Sequence, residues 1–193
     1  MPYITIAKNG NIGIGTATPK SKLDIVGNSN ITGTLTIGNK LIVGSSAKST
    51  GYGTIALGYN TLASGAFSIA MGDSTIASGQ DSTAMGGATR ASGEYSTSMG
   101  VNTIASGDYS TAIGGGTIAS GAFSIAMGNN INVPGTNSVG IGLSNTASTV
   151  SQSNTLGIMG GKVIIGDLRG TGNAFACLDS QGTLYRSNTL CRQ

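Results

Sequence analysis

The chain has 193 residues, of which 33 are glycine, 9% are charged and 5% are aromatic, with no tryptophan. So few aromatic side chains exclude an ordinary compact monomer core, yet 38% apolar content in a strict pattern excludes disorder as well. The net charge of +3 is uneven: residues 51–148 hold Arg90 against Asp73, Asp81, Glu94 and Asp108, while the flanks carry the other nine basic residues and three acids. Two readings of the basic flanks stand, ordinary solubilising charge and attraction of an anionic partner.

Residues 1–50 come first. The start MPYITIAKNG has neither a charged n-region nor an apolar core, so no export signal is read in it. No stretch of the chain approaches the roughly 18 apolar residues of a membrane span. Ile4-Thr5-Ile6, Ile12-Gly13-Ile14 and Leu35-Thr36-Ile37 alternate like strands, separated by Asn-Gly, Gly-Asn and Thr-Pro turn signals. ITGTLTIGNKLIVG reads as two β segments leading into the central part of the chain. GIGTATPKSK is not a phosphate loop, because Pro19 stands where the second glycine is needed and no helix comes after it.

Residues 51–148 repeat with a period of 14. Glycines stand at 51, 65, 79, 93, 107, 121 and 135, and again at 58, 72, 86, 100, 114, 128 and 142. GAFSIAMG occurs at 65–72 and at 121–128, and TIASG at 75–79, 103–107 and 117–121. Fixed self-similarity of this kind means a solenoid. A glycine every seven residues disfavours helix by roughly 1 kcal/mol each. It suits instead a coil of two short strands and two bends. Seven coils at about 4.8 Å per step give a section of roughly 30–35 Å.

Side-chain size sorts the coil. The fourth, sixth and thirteenth places hold small residues, Ser68, Ala70 and Ala77 or Ser110, Ala112 and Ala119, and are predicted inside. The seventh place holds Leu57, Met71, Met85, Met99, Ile113, Met127 and Ile141, which by alternation point outward. An exposed apolar ladder of that size calls for cover by another chain, and closed rotational symmetry is the usual solution. The twelfth place (Leu62, Ile76, Arg90, Ile104, Ile118) admits an arginine and is expected to be partly covered.

This repeat resembles the head domain of YadA-like trimeric autotransporter adhesins. The resemblance implies a left-handed parallel β-roll, three of which stand about a common axis. GNIGIGTATPKSKLDIVGN (10–28) is similar to a segment found in phage tail fibres and related trimeric bacterial fibres, through Gly13, Ile14, Gly15, Thr16, Pro19, Lys22, Leu23, Asp24 and Gly27. It implies a trimerising neck. Autotransporter heads sit N-terminal on a stalk, whereas phage-type fibres recognise with their C-terminus, and the phage-like neck places the tip here at the C-terminus. The expected localisation is extracellular, at a cell surface or on a virion or tail-fibre tip.

Residues 149–193 close the chain. Leu156-Gly-Ile-Met159 and Lys162-Val-Ile-Ile165 read as roll-closing strands. The last segment gathers Phe175, Asp179, Tyr185, Arg186 and Arg192 with the only cysteines, Cys177 and Cys191. Strands around Ser180-Gln-Gly182 would form a hairpin. Two readings stand for the cysteines: one intrachain disulfide worth roughly 3 kcal/mol of loop closure, or a pair of buried thiols. Two cysteines without histidine make no metal site.

Catalysis is not expected. Histidine is absent, the seven acids are scattered with no pair of them recurring at a fixed place in the coil, and no nucleophile–base arrangement is available. The aspartate-bearing repeats of calcium rolls are missing, and no cofactor and no nucleic-acid partner are expected. The reading favoured is an all-β homotrimeric fibre, not embedded in a membrane, that recognises a surface glycan or protein of a target cell. Phe175, Asp179, Tyr185 and Arg186 are its candidate contacts, or else the packing of the small end across three chains. The alternatives are a pure spacer, binding along a row of turn aromatics (Phe67, Tyr95, Tyr109, Phe123) broken by Asp81 and Asn137, and an ice-binding face formed by Thr61, Thr75, Thr89, Thr103 and Thr117.

Overall fold

A computed structural model describes residues 4–161, 175–178 and 184–187. It divides into two units, residues 1–38 and 39–193. In the first unit, β1 (Ile4–Ile6) runs antiparallel to β2 (Ile12–Ile14), with Ile4 opposite Ile14, and β2 runs parallel to β3 (Leu23–Ile25). Asn9-Gly10 makes the reversal. The Gly10 amide donates to the Ala7 carbonyl at 2.8 Å, and the Asn9 side chain accepts from the Asn11 amide at 3.1 Å. Leu35-Thr36-Ile37, expected as a strand, forms none, and of the two segments expected in 31–44 only Leu41–Val43 is one. The alternation is there, but no described strand lies alongside to take the amides of 35–37.

The second unit is the predicted parallel β-roll. One sheet stacks nine strands: Leu41–Val43, Ile55–Tyr59, Ile69–Asp73, Thr83–Gly87, Thr97–Val101, Thr111–Gly115, Ile125–Asn129, Val139–Gly142 and Leu156–Met159. A second stacks eight shorter ones from Lys48–Ser49 to Ser148–Thr149. Every pairing within these two sheets is parallel and, before the last coil, in register by the repeat, so Met71, Met85, Met99, Ile113, Met127 and Ile141 succeed one another along the stack. The pairing of Leu41–Val43 with Ile55–Leu57 shows the stack already under way before Gly51.

Size decides the inside. Ala56, Ala70, Ala84, Ala112 and Ala126 at the sixth place, and Ala63, Ala77, Ala91, Ala105 and Ala119 at the thirteenth, are fully buried with Ser68, Ser82, Ser96, Ser110 and Ser124 between the sheets. The backbone comes just as close at the glycines. Gly86 sits at φ +120°, and a Cβ there would overlap the Gly100 carbonyl of the next coil; Gly79 is held to glycine by the same overlap with Gly93.

The last coils keep the interior volume by exchange. Ile131, Val133 and Val150 are buried where other coils place threonine or alanine, and Gly140 and Gly157 stand at the sixth place instead of alanine. A Cβ on Gly140 would press into Val133 Cγ2 and sit 3.0 Å from Ile131 Cγ1. The final coil is also longer. Ile131 pairs with Ser148 and Val139 with Leu156, so Asn145, one period after Ile131, does not continue the eleventh place of the coil. Asn145 is instead in an exposed loop, where its side chain accepts from Asn130 Nδ2 at 2.8 Å and from Asn129 Nδ2 at 3.1 Å.

The interior hydroxyls are unevenly served. Ser82 and Ser96 donate to the carbonyls of Gly79 and Gly93 at 2.7 Å, and Ser98 is 2.7 Å from Thr103 Oγ1. Thr61, Thr75, Thr89 and Thr117 keep buried Oγ1 atoms without a partner.

Candidate functional site

Burial overturns one alternative. Thr61, Thr75, Thr89, Thr103 and Thr117 are all within 1% of complete burial, so this ladder cannot meet ice. The eleventh place stands two residues before the inward-pointing thirteenth, so alternation along the short strand turns it inward as well.

Two outward features remain on the roll. The first is the aliphatic row. Leu57, Met71, Met85, Met99 and Ile141 are half-buried, and Ile113 and Met127 are 37% and 41% exposed. On the same face the fifth place adds Ile55, Ile69, Thr83, Thr97, Thr111, Ile125 and Val139, each half-buried. The alternation of these strands drives both rows outward together. The twelfth-place row behaves as its composition implies: Leu62, Ile76, Ile104 and Ile118 are half-buried, and Arg90 is exposed.

The second feature is the turn that precedes each long strand. Phe67, Asp81, Tyr95, Tyr109, Phe123 and Asn137 occupy its third place, one per coil, at φ between 52° and 57°. Asn and Asp adopt this left-handed region readily, and bulky aromatics rarely do. Hydrogen bonds hold the conformation: the amides of Tyr95, Tyr109 and Phe123 each donate to the carbonyl one coil back at 2.8 Å. Stacking recovers part of the strain. The rings of Tyr95 and Tyr109 are 4.8 Å apart and 12° from parallel, and those of Tyr109 and Phe123 are 4.8 Å apart and 4° from parallel. Each such pair contributes about 0.5–1.5 kcal/mol. Even so, Tyr109 remains 50% exposed. Phe67 stands apart from this stack and packs edge-on against Tyr52 at 5.5 Å. The repeat had placed these aromatics in one row. Their left-handed backbone carried no signal of its own, because aromatic residues hide it.

The candidate tip is only partly described. Phe175–Leu178 runs antiparallel to Leu184–Ser187, as a hairpin requires, with Cys177 opposite Tyr185 and Ala176 opposite Arg186. Asp179 and Cys191, the side chains of Phe175, Cys177, Tyr185 and Arg186, and the segment 162–165 lie outside the described residues. In the first unit, an open groove of about 480 Å³ is lined by Ile4, Ile14, Gly15, Ile25, Val26, Gly27 and Asn28. Among the described residues no group of His, Cys, Asp or Glu side chains could hold a metal, and no helix is long and apolar enough to cross a membrane.

Residues 43–75, 77–103 and 105–130 match the YadA head domain repeat (2 copies). The stretch 43–130 is therefore made of YadA-like head repeats, in agreement with the resemblance drawn from the glycine series. No curated protein matches the chain.

Proposed function

We propose that these head repeats belong to a homotrimeric extracellular fibre that acts as an adhesin, recognising a glycan on the surface of another cell. The observation that carries this reading is the in-register aliphatic row Leu57 to Ile141, left half-exposed on a single chain beside a second apolar row. Such a face in a soluble chain marks a protein–protein contact, and three copies about an axis cover identical rows equally. The match to YadA head repeats supports both the trimer and the adhesive role. The tail-fibre likeness of residues 10–28 supports a trimerising neck within residues 1–50, with 51–148 as head and 149–193 as closing strands and tip.

In this reading Phe175, Asp179, Tyr185 and Arg186 contact the ligand, and a Cys177–Cys191 disulfide staples the segment that bears them. The test compares glycan-array and whole-cell binding by the full chain and by a chain ending at Asp167, with assembly monitored by light scattering. Loss of binding on truncation, with the trimer intact, supports recognition by residues 168–193. Binding retained by the truncated chain moves recognition to the roll, a second reading that the stacked row Tyr95, Tyr109 and Phe123 favours. A trimer that binds nothing in either form is a spacer. A full chain that stays monomeric removes the proposal altogether.

A further inference from the structure

The stacked aromatic row has two ends, and they differ in chemistry. Tyr109 has a ring against each of its faces. Tyr95 therefore turns one uncovered face towards the coil of Asp81, and Phe123 turns one towards the coil of Asn137. The register of these turns is tight: the Asp81 amide donates to Ala66 O and the Tyr95 amide to Gln80 O, both at 2.8 Å.

At the Asp81 end, an exposed carboxylate fills the place of a ring. One of its oxygens accepts from Gln80 Nε2 at 3.1 Å. One coil further stands the exposed ring of Phe67, which covers Gly53 on its far side: a Cβ there would lie 2.8 Å from Phe67 Cδ1. Two coil steps, about 9.6 Å, separate Phe67 from Tyr95. A cation beside the Asp81 carboxylate would lie about one coil step, ~4.8 Å, from the uncovered face of Tyr95, inside the roughly 6 Å over which an aromatic face attracts positive charge, with Phe67 on the coil before it. Its charge would be met by Asp81 and, one coil on, by the exposed carboxylate of Glu94. The only basic residue of 51–148 is Arg90, which belongs to the short-strand sheet.

We propose that Phe67, Asp81 and Tyr95 form a binding site for a quaternary ammonium group. Such a group is broad and weakly hydrated, so it fills a gap between two rings and needs only one carboxylate nearby. The carboxylates around the site repel phosphate, so the ligand is an alkylated ammonium that carries no adjacent phosphate. At the other end of the row Asn137 Nδ2 donates to Asn154 Oδ1 at 3.3 Å, and the turn place next to Phe123 carries this side-chain amide instead of a carboxylate. That end serves as the built-in control. The site lies on the roll and does not depend on where the fibre tip is.

The test titrates the full chain with tetramethylammonium chloride at constant ionic strength, read by ligand-observed NMR. Saturable binding is expected, weakened about tenfold or more by Asp81→Asn, Tyr95→Asn or Phe67→Asn. Asparagine is at ease at φ near 55°, so these variants keep the turn, and circular dichroism checks that they do. Choline should match tetramethylammonium and exceed phosphocholine. Asn137→Asp should add a second, weaker site. Absence of saturable binding by the unmodified chain, equal affinity in Asp81→Asn, or preference for phosphocholine would overturn the proposal.

Discussion

Two threonines at the same place of adjacent coils should respond to the same substitution with opposite sign. Thr117 Oγ1 is buried without a partner. An unmet buried hydroxyl costs about 1–3 kcal/mol, so Thr117→Val, which trades it for a methyl, should stabilise each chain by about 1 kcal/mol. Thr103 is equally buried, but its Oγ1 lies 2.7 Å from Ser98 Oγ. Thr103→Val removes that bond and strands the serine, for a loss of about 2 kcal/mol. Removing both partners, Ser98→Ala with Thr103→Val, should return stability close to the starting value. The assay is equilibrium unfolding in guanidinium monitored by far-UV circular dichroism, at one protein concentration because assembly shifts the midpoint. Two threonine variants that move the midpoint in the same direction would refute this account of the core, as would a double variant no better than Thr103→Val alone.

Gly140→Ala should cost about 2 kcal/mol or more, because its methyl would press into Val133, and Val133→Ala in the same chain should recover most of the loss; unfolding midpoints of the three variants decide it. Met99→Glu places a charge in the outward aliphatic row, and it should leave the circular dichroism spectrum unchanged while reducing the assembled mass seen by light scattering to that of one chain. A trimer that tolerates Met99→Glu would place the interchain contact elsewhere.

The roll was legible because its physics is local and repeated. Glycine at 58, 72 and 86 marks the close approach of successive coils, and alanine or serine at the fourth, sixth and thirteenth places marks an interior with room for little else. What the residues concealed lay at the ends of the repeat. Gly44, at φ +119°, is one period before Gly58 and already belongs to the stack, but its coil has Ile37 where the first glycine of the unit would be. The lengthened last coil was hidden because Gly142 falls in register just before the extra residues. Leu35–Ile37 alternates as well as any strand here, and pattern alone does not supply a neighbour. In the candidate site, the positions of Tyr95, Tyr109 and Phe123 came directly from the repeat. Their stacking required the coil spacing and the left-handed turn together.

Because each coil meets only the coil before and the coil after it, the roll has no centre that must be completed. Its length is a count, like rungs on a ladder. The identical words at 65–72 and 121–128 begin at the same point of the coil. A gene that recombined between them would drop whole rungs and leave every remaining hydrogen bond in register. The reach of the roll could thus be lengthened or shortened by whole coils without redesign of any of them.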